Sequence, residues 1–200
     1  MNLVTGDQLR GVISELVSGV WPLDDREATD QASILEWIAS GDPIFRTAAP
    51  ATPPRHLVSY FALIDSARGL VLLGDHVKSG LWLPSGGHVE DGEDPRDTVS
   101  REALEELGIH ARFHDRLGSG RPFFVTVTPT VGEHRHHDVS LWFVLACGLD
   151  ASLDPDPREY RGIRWFPLDN PDGWPASRFD PEMNRFARKA TAALDDAADR

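Results

Sequence analysis

The segment GHVEDGEDPRDTVSREALEELGI, residues Gly87 to Ile109, joins a glycine-containing loop to a glutamate-rich helical pattern. Asp94 is a good capping residue and Pro95 favours the first helical position, so together they predict where a helix begins. Gly108 predicts where it ends, because glycine readily adopts the left-handed backbone that follows a helix terminus. The pattern therefore predicts a helix over residues 95–107.

Three glutamates lie on one side of this predicted helix. At about 100° per residue, Glu102, Glu105 and Glu106 fall within about 100° of one another, next to an apolar stripe. The stripe consists of Val99, Ala103 and Leu107. Like charges at this spacing cost about 0.2–0.5 kcal/mol each, and the helix dipole adds about 0.3–1 kcal/mol near the C-terminus. A hard cation such as Mg²⁺ or Mn²⁺ would remove both penalties, because such ions prefer oxygen ligands.

A solvated acidic face is the plain alternative for a glutamate-rich helix. Gly86 and Gly87 favour the cation site instead, because a backbone without side chains lets a ligand approach closely. The sequence thus places carbonyl and amide groups beside three carboxylates.

The segment resembles the Nudix box of MutT-like pyrophosphohydrolases, in which glycine, glutamate and arginine recur at fixed spacing. The matching positions are Gly87, Glu93, Arg101, Glu102, Ala103, Glu105, Glu106, Gly108 and Ile109. The preceding Trp82-Leu83-Pro84 and the glycine pair also resemble the family, with Ser85 lengthening the loop by one residue. The resemblance implies a Nudix fold over roughly residues 56–168 and hydrolysis of a pyrophosphate bond.

The resemblance also implies a role for each box residue. The metal cofactor, Mg²⁺ or Mn²⁺, would be held by the Gly87 carbonyl, Glu102, Glu105 and Glu106. Glu93 and Arg101 would form an ion pair that braces the loop against the helix. With Glu105 and Glu106 they make up the predicted catalytic group.

A carboxylate would take the proton of the attacking water, whose pKa the bound cations would lower. In this family the base lies sometimes inside the box and sometimes outside it. Glu106 is the candidate inside the box, and Glu133, Asp138 and Glu159 are the candidates outside it.

A histidine-rich segment, EHRHHD at residues 133–138, precedes a predicted strand. Its histidines, His134, His136 and His137, suit a polar hairpin loop, contact with substrate phosphate or a separate metal site, and all three remain open. The predicted substrate contacts are His88, Glu133, His136, Asp138 and Glu159.

Sequence periodicity predicts an α/β protein, an α/β/α layered domain with an N-terminal helical extension. The resemblance implies that this domain has the Nudix fold, an α/β/α sandwich around a mixed β-sheet. Strands are predicted over residues 56–65, 70–73, 81–83, 111–117, 123–127, 139–146 and 163–166. Residues 84–87 are predicted to form a tight loop and residues 42–55 a connector. We assign residues 1–45 to the N-terminal helical extension and residues 46–200 to the Nudix hydrolase domain with its C-terminal helix.

Three further helices have recognisable ends. Asp7 is expected to cap the first, and the second, over residues 26–40, should end at Gly41. The C-terminal helix is predicted over residues 182–194, with Asp180 as its cap and Pro181 at its first position.

The chain has 200 residues and a formal net charge of −12. An acidic surface argues against binding to nucleic-acid polymers or membranes, whereas a bound cation still permits a phosphorylated small molecule. No apolar run approaches the ~18 residues of a membrane helix, and the N-terminus lacks a signal-peptide pattern, so a cytoplasmic protein is expected. The single cysteine, Cys147, is expected to be a buried structural thiol.

The leading interpretation is a hydrolase of a small nucleoside diphosphate derivative: a nucleoside triphosphate, ADP-ribose or a nucleotide sugar, or a dinucleoside polyphosphate. One alternative is a non-catalytic nucleotide-ligand sensor on the same fold, although no box carboxylate is missing. An isopentenyl-diphosphate-isomerase-like enzyme would need a catalytic cysteine, and Cys147 is expected mid-strand. The N-terminal helices leave a homodimer interface, a lid and simple packing open.

Overall fold

The computed structural model describes residues 6–49, 52–130 and 136–196. The α-helices in these ranges are α1 (Gly6–Ser18), α2 (Asp25–Ser40), α3 (Pro95–Leu107) and α4 (Met183–Asp195). The strands are β1 (Arg55–Asp65), β2 (Leu70–His76), β3 (Trp82–Leu83), β4 (Ser85–His88), β5 (Phe124–Pro129), β6 (His137–Ala146) and β7 (Tyr160–Pro167). Within the same ranges, every helix is too short or too polar to span a bilayer.

These strands form one mixed sheet with β1 at its centre. The main path runs β3-β2-β1-β6-β5, while β4 pairs with β1 and β7 pairs with β2. β1 and β6 run parallel, in register from the Arg55–His137 pair to the Ile64–Ala146 pair. The other pairs are antiparallel, and the long strand β1 has room for both β4 and β2 on its second edge.

Hydrophobic side chains on the two faces of the sheet form two clusters. The first joins α1, α2 and α3 to one face, through sheet residues such as Leu57 and Leu141. The second joins α4 to the other face, where Phe186 stacks on Trp142 with ring centroids 5.5 Å apart. Because β1 and β6 are covered on both faces, their sequences are apolar at consecutive positions. The predicted α/β/α sandwich is confirmed.

The N-terminal helices pack into the first cluster. Their buried residues there include Ile13, Val17, Ile34 and Trp37. Glu27 of α2 accepts a hydrogen bond from Val125 N of the edge strand β5 (3.3 Å) and pairs with Lys189 Nζ of α4 (2.6 Å). The pair links helices on opposite faces of the sheet around the edge of β5, which is thereby covered.

Both capping residues of α3 and the C-terminal cap of α2 follow the sequence prediction. Asp94 accepts a hydrogen bond from Arg96 N (2.9 Å), and Pro95 is the first residue of α3. Gly41 and Gly108 end their helices in the left-handed conformation, with φ of 84° and 67°. These local signals are strong because glycine carries no Cβ that would clash in that conformation.

Two other helix starts differ from the prediction. The prediction that Asp7 caps the first helix is wrong, because α1 already includes Gly6 and Asp7 lies inside the first turn. At the C-terminal helix, Asp180 does accept a hydrogen bond from Glu182 N (2.8 Å), but α4 begins at Met183 with Glu182 at its N-cap. The predictions of Asp180 as the cap and Pro181 as the first helical residue are therefore wrong, because both precede the helix.

The predicted strand over residues 111–117 is wrong. Among the described residues, Phe113 makes only an isolated bridge, to Leu145, and turns follow it. The ring nitrogen Nδ1 of His114 lies 3.2 Å from the backbone N of both Arg116 and Leu117 and accepts hydrogen bonds from them. These bonds satisfy donors that a strand would offer to its neighbour, so the chain turns instead.

The predicted tight loop over residues 84–87 is also wrong. Ser85–His88 is strand β4, which pairs with β1 in the register Val58–His88 to Phe61–Ser85. Glycines are poor strand formers on their own, and here the long neighbouring strand imposes the extended conformation.

Cys147 lies just beyond the end of β6 and is partly exposed. The expectation of a buried, mid-strand thiol is therefore wrong. The apolar run does form a strand, but that strand ends at Ala146, where the chain turns towards the surface.

Candidate active site

Strand β4 holds a glycine backbone tightly against β1. Gly86 pairs with Tyr60 and Gly87 with Ser59. Gly86 has a φ of 141°, and a Cβ at this position would lie 2.1 Å from Ser59 O. No other residue fits without displacing β1, so this glycine sets the path of the chain towards α3.

Helix α3 directs its carboxylates at this backbone. Val99, Ala103 and Leu107 are buried beneath the helix and fix its rotation on the sheet. Glu102 then comes so close to β4 that a Cβ on Gly87 would lie 2.0 Å from Glu102 Oε1. The carboxylate can occupy this position only because residue 87 is glycine.

Glu106 is the most buried of the three box glutamates, with 9% of its surface exposed. Its Oε2 accepts a hydrogen bond from Gly86 N (3.1 Å) and lies 2.6 Å from the Tyr160 hydroxyl, which is also 2.8 Å from Ser85 Oγ. Burial raises the pKa of Glu106 to about 7, although the hydrogen bond from Tyr160 opposes the rise. A buried carboxylate of this kind is stabilised by a nearby cation.

Tyr160 was not among the residues predicted from the sequence. It lies on β7, and its ring covers Gly74 so closely that a Cβ on that glycine would meet the ring at 2.2 Å. No local pattern marks it, because its contact with α3 depends on β7 pairing with β2.

Arg101 and Glu93 form the ion pair that the box pattern implies. Arg101 Nε lies 3.0 Å from Glu93 Oε1, and Nη2 lies 3.0 Å from Oε2. Thr98 Oγ1 and Glu90 N also donate to Glu93 Oε2, at 2.7 and 3.1 Å. Burial opposes ionisation of Glu93, yet the hydrogen bonds from Arg101 and the other donors lower its pKa overall. The pair ties the loop before α3 to the middle of the helix.

Arg101 also contacts two of the box glutamates, Glu102 and Glu105. The sequence pattern does not predict these contacts. Arg101 Nη1 lies 2.7 Å from Glu102 Oε1 and 3.6 Å from Glu105 Oε2. Glu105 is 60% exposed, whereas the Glu102 side chain is 13% exposed and burial raises its pKa. The three glutamates therefore differ in environment, and Glu105 alone among them faces solvent.

A cleft of about 730 Å³ opens beside these groups. Its lining includes the box residues Gly87, Glu102 and Glu106. The cationic side chains of Arg46 and Lys78 line the same cleft. A smaller pocket of about 330 Å³ adjoins α3 and is lined by Glu102, Glu105, Glu106, Asp156, Arg158 and Glu159. The lining of the cleft thus combines oxygen ligands suited to a cation with positive charge suited to phosphates.

The predicted substrate contacts have different outcomes. His88, Asp138 and Glu159 line the cleft, and Glu159 lines the smaller pocket too. His136 lies behind Asp138, with its Nε2 3.2 Å from Asp138 Oδ1. Glu133 and His134 lie outside the described residues, so their predicted contacts remain predictions.

Histidines from three parts of the chain meet at one end of the cleft. The ring of His56 lies 4.9 Å from that of His88 and 4.8 Å from that of His136, measured between centroids. Burial, together with the positive charge of Arg46, lowers the pKa of His88 to about 3. His137 is exposed and does not join the group. His56 was missed in the sequence because it sits inside the apolar pattern of β1.

The fold and the cleft define an α/β/α protein in which a glycine backbone, clustered glutamates and cationic side chains line one cleft. Residues 54–190 match the family model described as NUDIX domain. This match covers more than half of the chain, and the protein therefore belongs to the Nudix family.

A curated relative is the m7GpppN-mRNA hydrolase NUDT17 of Danio rerio. It is 30% identical over 125 residues, which cover 56% of this chain and 42% of that protein. The chain therefore spans less than half of the length of this relative.

Solved structures agree on the fold. A NUDIX-family hydrolase from Clostridium perfringens has a TM-score of 0.52 at 22% identity, over 70% of this chain and 97% of that one. An Ap4A hydrolase from C. elegans has a TM-score of 0.53 at 17% identity, over 69% and 96%. At these identities the likeness concerns the fold alone.

Proposed function

We propose that this protein hydrolyses a pyrophosphate bond in a small nucleoside diphosphate derivative and that it requires Mg²⁺ or Mn²⁺. The observation that carries the proposal is the cleft that is lined both by Gly87, Glu102 and Glu106 and by Arg46 and Lys78. Carboxylates that hold a cation and basic side chains that hold phosphates are the two requirements of such a reaction.

The residues present fit a hard divalent cation. The Gly87 carbonyl, Glu102, Glu105 and Glu106 would hold it, since carboxylate and carbonyl oxygens are its preferred ligands. The close approach of Glu102 to Gly87 and the raised pKa of buried Glu106 both support this assignment. When bound, the ion would neutralise phosphate charge and lower the pKa of the attacking water.

The other residues act by positioning. Arg101 and Glu93 brace the loop against α3, which keeps Gly87 and Glu102 in place. The backbone N–H of Gly86 and the hydroxyl of Tyr160 hold one oxygen of Glu106, so its carboxylate keeps a single orientation. Fixed ligands of this kind avoid reorganisation during the reaction.

We propose that a carboxylate at the cleft takes the proton of the water; Asp138, which lines the cleft, stays a candidate, and the two tested first are Glu106 and Glu159. Glu106 is the candidate inside the box, and Glu159 is the outside candidate that lines both the cleft and the smaller pocket. Comparing the pH dependence of turnover in Glu106→Gln and Glu159→Gln separates them. The base is the residue whose replacement abolishes the acidic limb of the profile, because a general base must be ionised.

The substrate class follows from the charge and size of the cleft. We assign His88, Asp138 and Glu159 to its substrate end, with His136 behind Asp138, and Tyr60, which also lines the cleft, offers an aromatic ring to a base. The net charge of −12 disfavours a nucleic-acid polymer, so a nucleotide or a cap dinucleotide fits better than a long RNA. We retain the cytoplasm as the proposed compartment and a homodimer as an untested prediction.

The test is a nucleotide panel with Mg²⁺ or Mn²⁺ and identification of products by mass. The panel contains nucleoside triphosphates, ADP-ribose, nucleotide sugars, Ap4A and a methylated cap dinucleotide, the last because the NUDT17 relative is named a cap hydrolase. Glu105→Gln and Glu106→Gln should retain the fold and lose nearly all turnover. Tight binding of a panel member without turnover would favour the alternative, a nucleotide sensor.

A further inference from the structure

We propose that His56, His88, His136 and Asp138 form a second cation site, which takes a transition metal such as Zn²⁺ and is separate from the box glutamates. One nitrogen or carboxylate oxygen from each residue lies within 4.8 Å of the others. This spacing suits four ligands around one ion, and all four residues are buried or partly buried.

The strand register brings the four side chains onto one face of the sheet. His56 of β1 is the register partner of Asp138 on β6, and Val58, two residues along β1, is the partner of His88 on β4. Side chains two residues apart in a strand share a face. His136 lies just before β6, and its Nε2 is 3.2 Å from Asp138 Oδ1. Three strand segments therefore contribute ligands, and no single segment of sequence contains the site.

His56 supplies an independent observation that points to a ligand. Its side chain is fully buried, and its Nδ1 lies 2.8 Å from Pro53 O. A carbonyl only accepts, so Nδ1 must donate its proton, and Nε2 of the neutral ring carries a lone pair. A histidine that binds metal through one nitrogen commonly donates the other N–H to a backbone carbonyl in this way.

That lone pair faces another acceptor. His56 Nε2 lies 3.5 Å from Asp138 Oδ1 and is buried with no hydrogen-bond partner among the described residues. A buried ring nitrogen with a free lone pair beside a carboxylate oxygen is a position where a cation can bind. A second histidine nitrogen, Nε2 of His136, lies 3.2 Å from the same oxygen of Asp138.

The donor set selects the type of ion. Three imidazoles and one carboxylate are ligands typical of Zn²⁺ and similar metals, whereas the all-oxygen set on α3 suits Mg²⁺ or Mn²⁺. Neutral imidazoles with one carboxylate leave a bound divalent ion with a net positive charge. Because His88 and Asp138 line the cleft, that charge would face it. The 3.4 Å contact between Arg46 Nη1 and His88 Nε2 is the one that an ion bound by this nitrogen would replace.

The experiment titrates the chelator-treated full chain with Co²⁺, followed by its visible absorption, and with Zn²⁺ in a calorimeter. We expect one Co²⁺ per chain with the intense absorption of a four-coordinate ion. Asp138→Asn, which preserves shape, and His136→Ala should weaken binding by more than about tenfold. His137→Ala is the matched control, because this exposed neighbour lies outside the group, and it should bind as the wild type does.

A box variant separates the two sites. Glu105→Gln should retain the Co²⁺ absorption, whether or not the protein hydrolyses any nucleotide, because binding at the histidines does not depend on the proposed function. Loss of the absorption in Glu105→Gln but not in Asp138→Asn would assign the ion to α3 and overturn the proposal. The absence of any four-coordinate Co²⁺ signal from the folded wild type would also overturn it.

Discussion

The hydroxyl of Tyr160 lies 2.6 Å from Glu106 Oε2, so a tyrosine on β7 reaches a box glutamate on α3. The ring fits because Gly74 on β2 leaves the space that a side chain would occupy. The contact connects strand β7, which pairs with β2, to the acidic face of α3. We infer that Tyr160 controls the orientation of Glu106.

Tyr160→Phe tests this relationship. Removing a hydrogen bond to a carboxylate should lower the free energy of unfolding by about 1–3 kcal/mol. Turnover should fall by about 10- to 100-fold, as for other partners that orient metal ligands. Urea unfolding and steady-state kinetics at several Mg²⁺ concentrations measure both effects. Wild-type kinetics in this variant would contradict a positioning role.

Gly87→Ala tests the close approach of β4 and α3. The new Cβ would lie 2.0 Å from Glu102 Oε1, so the carboxylate must move away from the backbone. A displacement of about 1 Å at a reacting centre can cost about 100-fold in rate, and we expect a loss of that size. Gly162→Ala on β7 is the matched control, because nothing lies within 4 Å of a Cβ there. Equal activity in the two variants would show that Glu102 tolerates the shift.

Arg101→Lys tests the ion pair with Glu93. Lysine keeps the charge but cannot make the two parallel contacts, so stability should fall by about 1–3 kcal/mol. Arg96→Lys on the same helix is the control. Arg96 pairs with Asp94 but is 43% exposed, and an exposed pair is worth about 0–1 kcal/mol. Denaturant midpoints compare the two variants, and a smaller loss at Arg101 than at Arg96 would contradict the bracing role.

Glu27 and Lys189 test whether the N-terminal helices belong to the stable core. Lys189→Met should cost about 3–5 kcal/mol, because it leaves Glu27, which is fully buried, without its counter-charge. Adding Glu27→Gln should recover part of this loss, since no charge then remains unpaired. Thermal unfolding of the single and double variants gives the coupling. Additive losses would mean that the two residues do not interact.

Asp180 gives a prediction for pH. Burial raises its pKa in the native state from 3.8 to about 7, so the folded chain keeps a proton that the unfolded chain loses. Stability from this group is therefore present below about pH 4 and is lost as the pH rises through about 7. Asp180→Asn cannot titrate, and it should gain about 1–3 kcal/mol relative to the wild type between about pH 5 and about pH 8. Urea unfolding at the two pH values measures the difference in unfolding free energy between the variant and the wild type. A difference that is the same at both pH values would contradict the raised pKa of Asp180.

The sequence allowed the prediction of α3, its caps and its acidic face, because these depend on residues within one helical turn of each other. Tyr160 and His56 escaped prediction, because each enters its site through strand pairing with distant segments. The failed strand at residues 111–117 has a local cause that pattern cannot reveal. The ring of His114 accepts hydrogen bonds from backbone N–H groups. A strand, which the alternating hydrophobic residues predict, would use those groups for pairing with its neighbour.

The parallel pairing of β1 with β6 also has a consequence for folding. His56 and Asp138 are register partners, although roughly eighty residues separate them in the chain. Contacts between such distant segments form slowly, because a long loop must first close, with a loss of conformational entropy, before the contacts can stabilise the fold. Helix α3 can form early from local interactions, but the histidine group exists only after this loop has closed. Capture of a transition metal would therefore report, in a refolding experiment, the moment at which the slowest part of the sheet has assembled.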